Sequence, residues 1–432
     1  MMQAYLDHGE THTAVFELFF RTLPPRRGFL MAAGLEQALD FLMELRFSPA
    51  ELDWLARSGR FSKSFVDYLA AFRFTGDVDA MPEGTIFFAD EPILRVTAPL
   101  SQAQFFETRL INILHFQTTI ASKAARLVLA APDRLMVDFG LRRAHGAEAG
   151  LWAARASYVA GFTGSATVLA ERVYGIPAFG TMAHSFVQAH DDETKAFENF
   201  ARSRPKNLTL LIDTYDTETV ARNVVKLAPR LRASGITIDA VRIDSGDLAA
   251  QAKRVRQILD EAGLTRTAIF ASGGLDEDKI QSMLAAGAPI VGFGVGTSLT
   301  TSSDVPALDC AYKLQEYAGV ARRKRSADKA TWPGRKQVWR CFDRNGRMQD
   351  DVLSLTDDDA PGMPLLGSIM RGGQPHARPN LDNIRANAAG NLAALPESLR
   401  RLDIGATYPV QIGDALVGLT AEVDRRTAQS LG

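Results

Sequence analysis

From about Leu135 the chain alternates short apolar runs with segments whose apolar residues are spaced as on a helix. The runs are LMVDFG, IPAFGTMAHS, LTLLIDTYDT, DAVRIDSGDL, TAIFASGGLDE and APIVGFGVGTS, and each ends in a polar or glycine-containing turn. They recur every few tens of residues, the spacing of βα units rather than hairpins. Between them, Val220, Val224, Leu227 and Leu231 mark one helical face, and Ala252, Val255 and Leu259 mark another. So many consecutive parallel units predict a closed barrel. The competing doubly wound sheet would need a glycine-rich fingerprint in its first turn, where DFGLRRAHG has arginine. The flanks read differently. TAVFELFFRTL and TIFFADEPILRVTAPL predict strands, FLMAAGLEQALDFLMELRF has helical spacing, and beyond Ala307 YKLQEY, KQVWRCFD and RMQDDVLSL predict strands again. Both ends therefore belong to one mixed outer layer.

Composition narrows the function. In 432 residues, 49 Lys and Arg balance 50 Asp and Glu, so no electrostatic footprint of a nucleic-acid binder exists and any anion must be held locally. No apolar stretch is long enough to span a membrane, and the opening MMQAYLDHGE lacks the basic-then-apolar order of a signal peptide, so a cytoplasmic protein without membrane partners is expected. Two cysteines, Cys310 and Cys341, build neither a disulfide scaffold nor a Cys-rich metal site. The basic run Arg322–Arg325 is expected to be a solvated loop.

In a parallel barrel the chemistry gathers at the carboxyl ends of the strands. Those ends supply Asp138 and Arg142, Thr181 and His184, Asp213, Arg242 with Asp244, Gly273 and Gly274, then Gly294, Gly296 and Thr297. The two last turns, SGGLDE and GVGTS, fit a phosphate cradle of backbone N–H groups. Arg242 and Asp244 point to one side of an extended strand; they read equally as an ion pair closing the rim or as ligand contacts. Asp244, Ser245 and Asp247 could meet ribose hydroxyls or magnesium through water. His184 reads as a structural histidine or, with Asp213 fixing its tautomer, as a nucleophile or base. The other histidines show no metal-ligand spacing, and no HExxH or paired CxxC occurs, so no protein-built metal site is expected.

Taken in order, DFGLRRAHG, GTMAHSF, LIDTYDT, VRIDSGDL, ASGGLDE and FGVGTSL resemble the nicotinate phosphoribosyltransferase family, as do the flanking TAVFELFFRTLPPRRGFLMAAGLEQAL and PGRKQVWR. The resemblance covers almost the whole chain. It implies a type II phosphoribosyltransferase: an α/β protein with an irregular (β/α) barrel, over 126–307, and an α/β sandwich layer formed by 1–125 and 308–432. The implied assembly is a homodimer. The implied reaction joins nicotinate to phosphoribosyl pyrophosphate, giving nicotinate mononucleotide and pyrophosphate with ATP hydrolysis and Mg2+. By resemblance, Phe139 stacks on the pyridine, Arg142 holds pyrophosphate or the nicotinate carboxylate, and Thr181 approaches nicotinate. His184 is phosphorylated and Asp213 orients it. Arg242, Asp244 and Ser245 bind the donor, and Gly273, Gly274, Gly296 and Thr297 bind its 5′-phosphate. Family members begin with a segment resembling TDLYQLTM, whose tyrosine packs on nicotinate. This chain opens at MMQAY, so either the start is truncated or another aromatic replaces that tyrosine. In GFTGSAT, Ala166 stands where nicotinamide-using relatives have an acid, which favours the carboxylate substrate. Nicotinamide- or quinolinate-type transfer, or non-catalytic binding of a phosphorylated metabolite, are the alternatives.

Overall fold

The computed structural model describes residues 1–327, 329–376, 378–402, 405 and 407–431. The chain divides into two units, Met1–Ser122 with Ala307–Gly432, and Lys123–Pro306.

The first unit is built on an antiparallel sheet that draws strands from both chain ends. Thr13–Phe20 lies between Cys310–Tyr317 and Pro92–Pro99. Seven of the eight residues of Thr13–Phe20 are buried, so both faces of the strand are covered, and its run is continuously apolar apart from Glu17. Glu17 is fully buried and is matched by Lys336, 2.6 Å away. A second sheet pairs Lys336–Phe342 with Met348–Leu355. The run FLMAAGLEQALDFLMELRF is helical only from Leu35 to Glu44; Leu30–Met31 is a short strand ending before Gly34, whose φ of +97° suits glycine. The basic run is not a free solvated loop. Arg323 and Arg325 both reach Asp424 on the helix Asp414–Leu431, and the Arg323 side chain is only 13% exposed.

The second unit holds six parallel strands: β1 (Leu135–Asp138), β2 (Gly164–Ser165), β3 (Leu208–Leu211), β4 (Ile238–Ile243), β5 (Ala268–Ser272) and β6 (Gly292–Val295), in the order β2-β1-β6-β5-β4-β3. Helices follow the strands: α1 (Thr217–Ala233) after β3, α2 (Leu248–Glu261) after β4 and α3 (Glu277–Ala285) after β5. Asp216, Asp247 and Asp276 cap their N-termini, each accepting a backbone N–H three residues on. Val220, Val224, Leu227 and Leu231 of α1, and Ala252, Val255 and Leu259 of α2, are buried as their spacing predicts.

The barrel is open rather than closed. IPAFGTMAHS forms no strand of its own. Pro177–Phe179 joins the β2 edge through one bridge, Ser165 with Ala178, flanked by hydrogen bonds of 3.1 and 2.9 Å. Pro177 has no N–H to donate, so it cannot extend a ladder. Among the described residues no backbone hydrogen bond joins this segment to β3. Side chains cross the seam instead: Arg242 Nη2 donates to Met182 O at 3.3 Å, and His184 Nδ1 lies 3.2 Å from Thr214 Oγ1.

Candidate active site

The carboxyl ends of the strands place the expected residues around one mouth. Asp138 ends β1 but does not face a ligand. It is buried, Oδ1 accepts from Gly140 N and Oδ2 accepts from Ser165 Oγ, both at 2.7 Å. Burial raises its carboxyl pKa, and the two donors oppose that rise. Its work is to shape the turn that follows. Phe139 comes next, its ring 6.0 Å from Phe270 and 5.9 Å from the Arg242 guanidinium carbon. The arginines then sit on a 3₁₀ turn, Leu141–Arg143. Arg143, which the sequence pattern did not single out, donates to Thr297 Oγ1 at 3.0 Å. The charge of Arg142 acts on Arg242, lowering its pKa.

Arg242 at the end of β4 is the best-buried cation of the mouth. Burial depresses its pKa, Asp244 and Asp213 raise it, and Arg142 lowers it again. It has no ion pair among the described residues: its polar contact is Met182 O, and its Nε is buried without a partner. The rim-closing Arg242–Asp244 pair is thus not formed. Asp244 Oδ1 accepts from Ser272 Oγ, while Asp244 Oδ2 lies 3.9 Å from His184 Nε2.

The expected role of Asp213 changes. Asp213 Oδ2 accepts from Asp244 N at 2.8 Å and Ser245 Oγ at 2.7 Å, which ties β3 to β4, and its Oδ1 is buried without a partner. Thr214, one residue on, meets His184. Both residues lie past the end of β3, where the chain bends and the two side chains take different partners. The histidine therefore lies between a threonine hydroxyl and Asp244 rather than against Asp213.

Gly273 (φ +98°) and Gly274 (φ +62°) form the turn after β5. A Cβ at Gly273 would lie 1.8 Å from Asp244 O, so only glycine lets the turn approach the β4 backbone. Lys279 Nζ donates to Gly274 O, adding a cation that sequence inspection missed. Gly296 is the N-cap of the short helix Thr297–Thr300. Thr181 donates to Met182 O at 3.2 Å and, with Phe139, Phe270, Ala240 and Ala268, lines a cavity of about 680 Å³ inside the barrel. Ala166 follows β2, its N donating to Asp138 O at 2.7 Å.

Phe139, Arg142, Thr181, His184, Asp213, Arg242, Asp244, Ser245, Gly273, Gly274, Gly296 and Thr297 thus all stand on this one unit. Residues 1–115 match the N-terminal domain of nicotinate phosphoribosyltransferase, and residues 135–327 match the nicotinate phosphoribosyltransferase family itself. "Nicotinate phosphoribosyltransferase pncB2" of Mycobacterium tuberculosis is 50% identical over 98% of this chain and 91% of its own length. The chain belongs to the nicotinate phosphoribosyltransferase family. The relative of that name from Bacillus subtilis is 36% identical over 93% of this chain and 88% of its own. Human nicotinic acid phosphoribosyltransferase has the same fold, with a TM-score of 0.88, 28% identity and 98% of each chain covered. The expectation of an α/β enzyme of the nicotinate phosphoribosyltransferase family, serving NAD salvage, therefore holds. No helix among the described residues of the enzyme is long and apolar enough to cross a membrane.

Proposed function

We propose that the enzyme joins nicotinate to 5-phosphoribosyl pyrophosphate, giving nicotinate mononucleotide and pyrophosphate, with ATP hydrolysis coupled through phosphorylation of His184. The observation behind the reading is that Arg242, a largely buried guanidinium without an ion pair among the described residues, stands over the Phe139 ring and donates to Met182 O, while the half-exposed His184 lies beside Asp244.

Displacement at the anomeric carbon passes through an oxocarbenium-like state. Catalysis then rests on stabilising the departing pyrophosphate and holding the acceptor in line. Arg142 and Arg242 take the pyrophosphate; charge-assisted hydrogen bonds are worth about 1.5–3 kcal/mol each. Gly273, Gly274, Gly296 and Thr297 offer N–H and hydroxyl donors to the 5′-phosphate. Asp244 and Ser245 meet the ribose, Phe139 stacks on the pyridine, and Thr181 lies beside it. The pyridine nitrogen brings its own lone pair, so no general base is needed.

The donor set suits magnesium only as a companion of substrate phosphates. No group of three or more His, Cys, Asp or Glu side chains suited to a metal occurs among the described residues, and magnesium keeps most of its waters. Asp244, 31% exposed, is the residue that would hold it. The ion would supply charge neutralisation at the pyrophosphate.

In the coupling step a ring nitrogen of His184 attacks the γ-phosphorus of ATP and the bond to the ADP oxygen breaks; water later removes the phosphoryl group as inorganic phosphate. A phosphohistidine adds about −1.5 to −2 charges if it ionises as other phosphorylated side chains do. That charge, near Arg242, switches donor affinity between loading and release. The exposed apolar side chains Val168, Leu169 and Val173 of the helix Val168–Tyr174, with Leu141, support homodimer formation. Charged, phosphorylated substrates, which do not cross membranes unaided, support a cytoplasmic setting.

A coupled assay with nicotinate and donor, with and without ATP, tests the proposal. Nicotinate mononucleotide formation stimulated by ATP is expected. Preference for nicotinamide, consumption of quinolinate, or tight donor binding with no pyrophosphate release would each overturn it.

A further inference from the structure

Strand β6 carries Gly292 and Gly294, with Gly296 directly after it, at every second position, so all three turn the same way out of the sheet. Three missing side chains leave a bare strip. Neighbouring rings fill it. A Cβ at Gly294 would lie 2.5 Å from Cδ2 and Cε2 of Phe139, and one at Gly292 would lie 2.9 Å from ring carbons of Phe270 and from Leu135 Cβ. Neither glycine has a positive φ, so the backbone does not demand glycine at these positions. Crowding by the rings does. Glycine weakens a strand interior, and here it marks a close approach.

The consequence is a wall of fixed geometry. Phe139, leaning over from β1, meets Phe270 from β5 at 6.0 Å and a tilt of 45°. Arg242 from β4 stands 5.9 Å from the Phe139 ring centre, within cation–π range. Phe139 and Phe270 line the barrel cavity together with Thr181.

We propose that Gly294 is a positioning residue for the pyridine acceptor: by leaving its strand bare it sets the height and tilt of the Phe139 ring, with Phe270 as the backstop. The surface so formed takes the face of a flat aromatic ring. The proposal rests on the reading of Phe139 as the platform for nicotinate. Gly294 touches no substrate and acts only through Phe139.

The test is steady-state kinetics and melting temperature for Gly294→Ala, Phe139→Leu, the double variant and Phe270→Leu, all in the full chain. Gly294→Ala is expected to raise the nicotinate KM about tenfold or more, with kcat and the donor KM within about twofold, because the lost interaction is binding common to ground and transition states. The double variant is expected to match Phe139→Leu alone, since once the ring is gone the methyl has nothing to displace. Independent, multiplying effects of the two substitutions would overturn the proposal, as would a wild-type nicotinate KM in Gly294→Ala. Should Gly294→Ala not fold, Phe270→Leu carries the test: a rise in nicotinate KM of a few-fold supports the proposal, and no rise overturns it. An unchanged nicotinate KM in Phe139→Leu would instead overturn the platform reading, and the proposal with it.

Discussion

Two arginines, Arg340 in the first unit and Arg242 in the second, are treated in opposite ways. In the first unit, Arg340 is 1% exposed and each of its three nitrogens donates: Nε and Nη2 grip Asp351 at 2.9 and 2.6 Å, and Nη1 donates to Ile86 O at 2.8 Å. Asp351 also accepts from Tyr408 Oη at 3.0 Å. In the barrel unit, Arg242 has one bond at 3.3 Å to a carbonyl and an orphaned Nε, and Asp213 beside it keeps an orphaned Oδ1. Burying an unsatisfied polar group costs free energy, so such sites persist where a partner arrives from outside. The contrast separates a charge that holds the fold from charges held ready for a ligand.

The largest expected effect breaks the first arginine. Arg340→Ala leaves the buried Asp351 carboxylate without its cation and removes the charge that opposes the rise in the Glu91 carboxyl pKa, which burial and Asp351 already push well up. A loss of about 3–5 kcal/mol in denaturant unfolding is expected. Replacing both members, Arg340→Met with Asp351→Leu, should restore most of it; no restoration would mean the pair is more than a structural clamp. Arg242→Ala should do the reverse, weakening donor binding by about 2–5 kcal/mol in calorimetry while the melting temperature moves little. A large fall in melting temperature with near-native donor affinity would erase the contrast. Next, His184→Ala should abolish ATP hydrolysis and leave basal nicotinate transfer; unchanged phosphate release removes His184 from coupling. The smallest effect concerns its neighbour. Thr214→Val should weaken ATP coupling by about 1 kcal/mol, the worth of one hydrogen bond, and Thr214→Ser should recover it.

Five of the six barrel strands were legible because each is a short apolar run ending in a turn, and the helices because their buried faces repeat at helical spacing; β2, only Gly164–Ser165, has no apolar run to betray it. The open seam was not. IPAFGTMAHS has the apolar content of a strand, but its pairing depends on where Pro177 withholds a donor, and a hydropathy pattern does not register that. Site residues at strand ends were found as a set, while their pairings were not: Asp213 and Thr214 are adjacent in sequence, and only the twist of the segment decides which of them faces His184. Arg143 escaped notice for the same reason beside Arg142. Lys279 lay hidden on a helix, where only its proximity to Gly274 gives it meaning.

At Gly273 even one methyl group would overlap the carbonyl of Asp244. That position is closed to nineteen amino acids by packing within the protein. Across diverging descendants of this gene it would stay unchanged whether or not it ever met a ligand, so invariance there would testify to backbone geometry and say nothing about chemistry. Arg242, without an ion pair among the described residues and with its Nε unsatisfied, is the position where invariance would be informative.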